Sequence, residues 1–150
     1  MMTIRKANQL ETHYILHLTG NVLQESSMGH IANSPHVAYQ MFMPYIQNGA
    51  YYLIEEDKHR LKGWLLLGVD RNVMTGHDMG HLLQLYVFPR YRKAGIGREL
   101  LKEAIKQLQL HGAKTIQLNV YAGNPAKAMY EQFGFTDVST IMELKVDEKY

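Results

Sequence analysis

The stretch Leu85-Tyr86-Val87-Phe88-Pro89-Arg90-Tyr91-Arg92-Lys93-Ala94-Gly95-Ile96-Gly97-Arg98-Glu99-Leu100-Leu101 changes its pattern at Pro89 and again at Gly97. Before Pro89, His81 to Phe88 reads as a strand. After it comes a short basic loop with two glycines. From Gly97 to His111 the residues Ile96, Leu100, Leu101, Ala104, Ile105 and Leu108 form one apolar stripe, with Arg98, Glu99, Lys102, Glu103, Lys106 and Gln107 on the other face. That spacing predicts an amphipathic helix, and Gly112 fits its C-terminal stop. Thr115 to Val120 follows as a strand in which Ile116, Leu118 and Val120 alternate with Gln117 and Asn119. Strand, loop, helix and strand within about forty residues make a βαβ unit, so the two strands should lie parallel.

The loop has a chemistry of its own. The first turn of a helix carries backbone N–H groups without partners, and the macrodipole places partial positive charge there. Gly95 and Gly97 remove side chains that would hold an anion away from those donors. Arg92, Lys93 and Arg98 add full charge around the rim, so a pyrophosphate suits the loop. A Gly-x-Gly before a helix is also an ordinary tight turn, and on these residues alone the two readings are evenly matched. Other phosphate loops fit worse. A Walker loop needs Gly-Lys-Ser/Thr where Gly97-Arg98-Glu99 stands, and the dinucleotide fingerprint needs a third glycine and a later acidic residue.

Working outward, Asn124-Pro125 opens a further helix with Ala126, Met129, Tyr130 and Phe133 at helical spacing, and Gly134 ends it. Phe135 to Val146 reads as one or two more strands. Towards the N-terminus, Ala50 to Glu56 and Leu61 to Asp70 are strands joined by a polar turn, and Met2 to Lys6 is a short first strand. Between them lie two helices. One runs from Asn8 to about Met28 with Leu10, Tyr14, Leu18 and Val22 every fourth place. The other starts at Ser34-Pro35 and ends near Pro44 or Gly49.

The loop and its flanks resemble the GCN5-related N-acetyltransferases. The family's acetyl-CoA motif is Arg/Gln-x-x-Gly-x-Gly/Ala, and Arg92-x-x-Gly95-x-Gly97 matches it. Leu85 to Tyr91 is similar to the strand before that loop. The run from Asn124 to Phe135 is similar to the later helix and the Gly-Phe after it. The resemblance covers roughly residues 80–146; the N-terminal half agrees only in its order of elements. It implies an α+β fold: a mixed, mostly antiparallel twisted sheet with helices on both faces and two neighbouring parallel strands splayed apart.

The resemblance further implies that acetyl-CoA is the acetyl donor. Its pantetheine arm would pair with the free edge of Leu85, Tyr86 and Val87, and its pyrophosphate would sit on Lys93, Ala94, Gly95, Ile96 and Gly97, with Arg92 and Arg98 beside it. Asn119, Asn124 and Tyr130 would line the other side. Tyr130 matches the tyrosine that faces the coenzyme sulfur. Leu85 to Val87 and Tyr130 would also serve as plain core residues without a ligand.

The base is less well marked. Many relatives carry Glu or Asp where Leu83 and Gln84 stand, and neither of these accepts a proton. Glu25, His81 or a water relay remain, with His81 favoured because an unshifted imidazole titrates near neutrality. The expected function is transfer of an acetyl group to a primary amine of a small molecule or peptide. The alternative is an acetyl-CoA-binding regulatory module without catalysis, and a nucleotide-binding regulator fits less well.

Bulk properties set the remaining bounds. The chain has 150 residues, 46% hydrophobic and 20% charged, which suits one domain spanning 1–150 with a real core. The absence of cysteine excludes disulfides, thiolate metal sites and a Cys nucleophile. A net charge of +2 argues against a general nucleic-acid binder. With no long apolar run and no secretory pattern, a soluble cytoplasmic protein without a membrane partner is expected, with a homodimer as an open option. His77 and His81 are four apart, but Gly80 makes a metal-binding helix improbable there. The Met- and aromatic-rich run from Met28 to Tyr45 reads mainly as core, with some residues available to line an acceptor pocket.

Overall fold

The computed structural model describes residues 2–147. Its elements are β1 (Met2–Lys6), α1 (Gln9–Ser26), α2 (Pro35–Gln47), β2 (Tyr51–Asp57), β3 (Arg60–Arg71), β4 (Asp78–Val87), α3 (Ile96–Leu110), β5 (Thr115–Leu118) and α4 (Ala126–Gln132), with one 3₁₀ turn over Pro89–Tyr91. The five strands form one sheet in sequence order. Pairs β1–β2, β2–β3 and β3–β4 are antiparallel, and β4–β5 is parallel. The expected mixed sheet is therefore present, and α3 supplies the crossover that a parallel pair requires.

Strand side chains alternate between two cores. Tyr52, Ile54, Trp64 and Leu66 pack under α1 and α2 with Ile15, Leu16, Val22, Leu23, Ala38 and Phe42. Leu53, Leu65, Leu67 and Leu82 pack on the opposite face against Ile96, Leu100, Leu101, Ala104 and Leu108 of α3. Tyr130, Met129 and Phe133 of the α4 region join that second cluster. Helices thus cover both faces, and the apolar stripe read in α3 is the one that is buried.

Two differences from the sequence reading have physical causes. In α1 the buried side is Ile15, Leu16, Thr19, Gly20, Val22 and Leu23, whereas Leu10 and Tyr14 are exposed. A polar Thr19 can belong to the core because its hydroxyl donates to the Ile15 carbonyl oxygen at 2.6 Å. The second difference is at the C-terminal end: the strand or strands expected over Phe135 to Val146 are not formed, and 136–147 carry no regular secondary structure. A strand needs a neighbour to pair with, and this segment pairs with none of the described strands. Of the two expected ends of α2, the later one holds: the helix continues through Pro44 to Gln47, and Asn48 N still donates to Pro44 O at 3.2 Å. Proline lacks a donor but keeps its carbonyl acceptor, so only one bond of the turn is lost.

Candidate active site

Strands β4 and β5 stay together only from Met79↔Thr115 to Leu82↔Leu118. Beyond Leu82, β4 continues to Val87 with β3 alone at its side. The sheet is therefore open between Leu83–Val87 and the chain leaving β5. A register shift in the β3–β4 ladder falls at the start of this opening: Leu66 pairs with Gln84, Leu67 pairs with Leu82, and Leu83 is the extra residue. Such a bulge bends the strand and turns the residues after it, which is how β4 leaves its parallel neighbour.

The orientation of the open edge follows from the ladder. Phe88 N donates to Lys62 O at 3.0 Å, so Phe88 faces β3. Successive residues alternate, so the amides of Val87 and Leu85 point away from β3 and into the gap. The side chain of Arg92 confirms the direction, because its Nε donates to Val87 O at 2.8 Å from that side.

The loop 92–97 closes the far end of the gap. Lys93 has φ 66° and Gly95, the residue capping α3, has φ 82°, so the chain turns tightly through the left-handed region. No side chain caps α3. Its first helical bond runs from Glu99 N to Gly95 O at 3.0 Å, which leaves the amides of Ile96, Gly97 and Arg98 without helical acceptors. A Cβ built on Gly95 would meet nothing within 4 Å. One on Gly97 would meet Met129 of α4 and Leu85 of β4 at 3.8–3.9 Å, so the start of α3, the edge of β4 and α4 converge there.

The cationic rim differs from expectation. The Arg92 guanidinium is bound to Val87 O, pairs with Glu25 at 3.0 Å and lies 5.4 Å from the Tyr86 ring centre. It braces the loop against β4 and α1. Arg98 turns to α4, where it bonds Gln132 and lies over Phe133. Lys93 and Ala94 are exposed beside the open amides.

On the other side, Asn124 accepts from Ala126 N at 2.9 Å and donates Nδ2 to Ser26 O at 3.1 Å. The His30 and Tyr121 rings stack with centroids 5.5 Å apart, and Met28 lies against Gly123. The segment after α1 is thus fastened to the loop between β5 and α4, and the gap is walled on the face opposite α3. Asn119 is exposed just after β5. Tyr130 packs in the α3-side cluster near Leu85 and Leu118, with the Phe135 ring at 6.0 Å. Burial pushes its phenol up to about 12.

His81 is placed differently from these residues. It sits in the closed part of the sheet, opposite Gly68 and Gln117. It lines a cavity of about 440 Å³ with Tyr45, Asn48 and Asp70. At the bulge, Gln84 Oε1 accepts from Trp64 Nε1 at 2.8 Å, and its buried Nε2 has no partner. Glu25 remains on the α1 side, held by Arg92. Among the described residues no cluster of three His, Cys, Asp or Glu could hold a metal. One group was not anticipated. Glu55 of β2 is fully buried, and its pKa is pushed up to about 8 by that burial and then by the facing Glu99, with Lys62 acting in the opposite direction. Its place in an alternating strand marked it as inward-facing; its β-strand neighbours gave no sign that an acid would tolerate that.

Residues 21–135 match the acetyltransferase (GNAT) family. The chain belongs to this family. Its α+β architecture is shared with a putative acetyl transferase from Pyrococcus furiosus, TM-score 0.79 and 20% identical over 97% of this chain and 100% of that one. In sequence it is similar to the [ribosomal protein bS18]-alanine N-acetyltransferase of Escherichia coli K12, 38% identical over 63 residues, which are 41% of this chain and 43% of that protein. It is also similar to an N-alpha-acetyltransferase of Sulfurisphaera tokodaii, 24% identical over 119 residues, 73% of this chain and 71% of the other. The bacterial match thus spans less than half of that relative's length.

Proposed function

We propose that this GNAT chain transfers the acetyl group of acetyl-CoA to a primary amine of a small molecule or peptide, by direct attack in a ternary complex. One observation carries the reading: the open edge of Leu85–Val87 leads to the uncapped start of α3. Amides of Ile96, Gly97 and Arg98 suit the pyrophosphate. Outward amides of Leu85 and Val87 suit the amide-bearing pantetheine arm, as an added half-strand. The thioester would then reach the bulge at Leu83–Gln84.

In the reaction the amine nitrogen attacks the thioester carbonyl carbon, the C–S bond breaks, and the amine loses a proton while the thiolate gains one. The site's task is to align the two reactants and stabilise charge on oxygen and sulfur. Tyr130 serves as a hydrogen-bond donor to the leaving sulfur. Full transfer from a phenol near 12 to a thiolate near ~8.5 would be uphill by ~5 kcal/mol, so the bond matters more than the transfer. No carboxylate occupies the bulge, and His81 lies before it. A water relay leading to Glu25 or His81 therefore takes the proton.

Gln84, a residue that accepts no proton where many relatives carry an acid, favours a second reading, an acetyl-CoA-binding regulatory module. Its oxygen is taken by Trp64 Nε1, and only its buried Nε2 is unpaired. Release of CoA thiol dependent on added amine separates the two. A panel of peptide N-termini and small amines should contain at least one acceptor, with peptides beginning in alanine tested first given the relatives named above. Thermal stabilisation by acetyl-CoA without thiol release from any amine would favour the module.

A further inference from the structure

His81 stands between two spaces. One pair further along, at Leu82↔Leu118, the β4–β5 ladder ends and the sheet opens. In the other direction lies the cavity of about 440 Å³, which His81 lines with Tyr45 and Asn48 from the end of α2 and with Gly68 and Asp70 of β3. Alternation fixes the face. Trp64 and Leu66 pack under α1 and α2, so Gly68 and Asp70 point to that side, as does His81, the ladder partner of Gly68. Gly68 keeps the floor low, because a Cβ added there would lie 3.1 Å from Ala50 Cβ.

The charge in this cavity is not answered by the chain itself. Asp70 Oδ1 accepts from the adjacent Arg71 N at 2.7 Å. The Arg71 guanidinium turns away to Gly76 O at 3.1 Å. Among the described residues Asp70 forms no ion pair. Asp70 is thus a free anion at the edge of a hollow that the Tyr45 ring also lines. A carboxylate and an aromatic face both attract a cation. The Asn48 carbonyl oxygen and a neutral His81 imidazole add acceptors for its N–H groups.

We propose that this cavity holds a second cationic group of the acceptor, an ammonium or guanidinium carried about 14 Å from the amine that is acetylated. The spacing comes from the ladder. Leu66 faces Gln84, where the thioester would arrive, and Asp70 lies four residues further along β3, about 14 Å of extended chain. The inference rests on the acetyl-transfer reading above and deepens it, since it names the acceptor as dibasic. A terminal diamine or a peptide with a basic third residue would present the same chemistry.

The experiment compares matched probes on the whole chain. Diaminodecane is set against aminodecanol, which keeps the length and one amine but loses the second charge. Amidated Ala-Ala-Lys-Ala is set against amidated Ala-Ala-Gln-Ala. In calorimetric titrations with CoA present, the dibasic member of at least one pair should bind about fivefold or more tightly. The pair that shows the preference tells a small amine from a peptide. Asp70→Asn should remove the preference and Asp70→Glu should restore most of it; Asp70 is exposed, and melting temperatures check that both variants fold. Equal affinities within both pairs, or a preference that survives Asp70→Asn, would overturn the proposal. CoA thiol release from acetyl-CoA is read separately, and the same preference should appear in KM for the acceptor. A binding preference without acetylation of any probe would overturn the acetyl-transfer reading, and with it the guest's role as acceptor, while the cation site would stand.

Discussion

Asn124 holds two parts of the molecule at once: its Oδ1 accepts from Ala126 N at 2.9 Å, and its Nδ2 donates to Ser26 O at 3.1 Å. The first bond starts α4, the helix that carries Tyr130. The second fastens that start to the end of α1, across the opening between β4 and β5. The position of Tyr130 relative to the β4 edge therefore depends on a contact 98 residues away in sequence.

Asn124→Asp keeps the acceptor that starts the helix but places a carboxylate oxygen against the Ser26 carbonyl. The loss of one bond and the new repulsion should cost about 1–3 kcal/mol of stability, read by denaturant unfolding. Asn124→Ser retains an acceptor without the charge and should recover part of that loss. Equal stability in Asn124→Asp and the parent would show that the bridge is not formed.

The two loop glycines answer to different demands, and substitutions should separate them. Gly95 has φ 82°, where an L side chain costs roughly 1–2 kcal/mol. Gly95→Asp adds a negative charge beside the open amides, and acetyl-CoA affinity should fall at least about tenfold. Gly97 has ordinary φ, and its added Cβ would meet only normal contacts with Met129 and Leu85. Gly97→Ala should therefore fold as well as the parent and bind acetyl-CoA within a few-fold. Calorimetric titration of both variants checks this, and unchanged binding by Gly95→Asp would remove the loop from the cofactor site.

Much of this geometry was legible in the residues, because it is local. The βαβ unit around Gly95 and Gly97 is written in a change of period and two turn residues, and it fixes the parallel pair and the helix start. What could not be read depends on groups brought together from afar. Arg92 looked like a free cation, but Val87 O and Glu25 take its guanidinium. His81 looked close to the site by its strand, but the bulge at Leu83 leaves it in the closed part of the sheet. The period-two pattern of 138–146 reads as a strand, but a strand also needs a neighbour in register, and residues 136–147 carry no regular secondary structure.

Tyr130→Phe tests the hydrogen bond to sulfur. The ring and its packing against Phe135 are kept, so acetyl-CoA affinity should change little. A bond to a developing thiolate is worth about 1.5–3 kcal/mol, so turnover should drop about tenfold or more at saturating substrates. Because the phenol lies near 12, it stays protonated through the usual assay range, and the parent should show no loss of rate from Tyr130 between pH 7 and 10. Identical turnover in both proteins would leave Tyr130 as a packing residue.

Glu55 makes stability depend on pH, because burial and then the facing Glu99 raise its pKa. The Glu55 carboxyl titrates near 8 in the fold and near its ordinary 4.5 when unfolded. Between those values the folded state holds a proton that the unfolded state has released. Its contribution to stability is therefore complete below about 4.5 and is lost as pH rises through 8. Glu55→Gln keeps a neutral, hydrogen-bonding side chain at all pH. Its stability relative to the parent should rise by about 1 kcal/mol or more between pH 5 and pH 9, read by urea unfolding. Glu99→Gln removes the facing carboxylate but leaves the burial, so the decline with rising pH should persist in that variant and be smaller than in the parent. Parallel stability curves for parent and Glu55→Gln across this range would mean that Glu55 ionises freely in the fold.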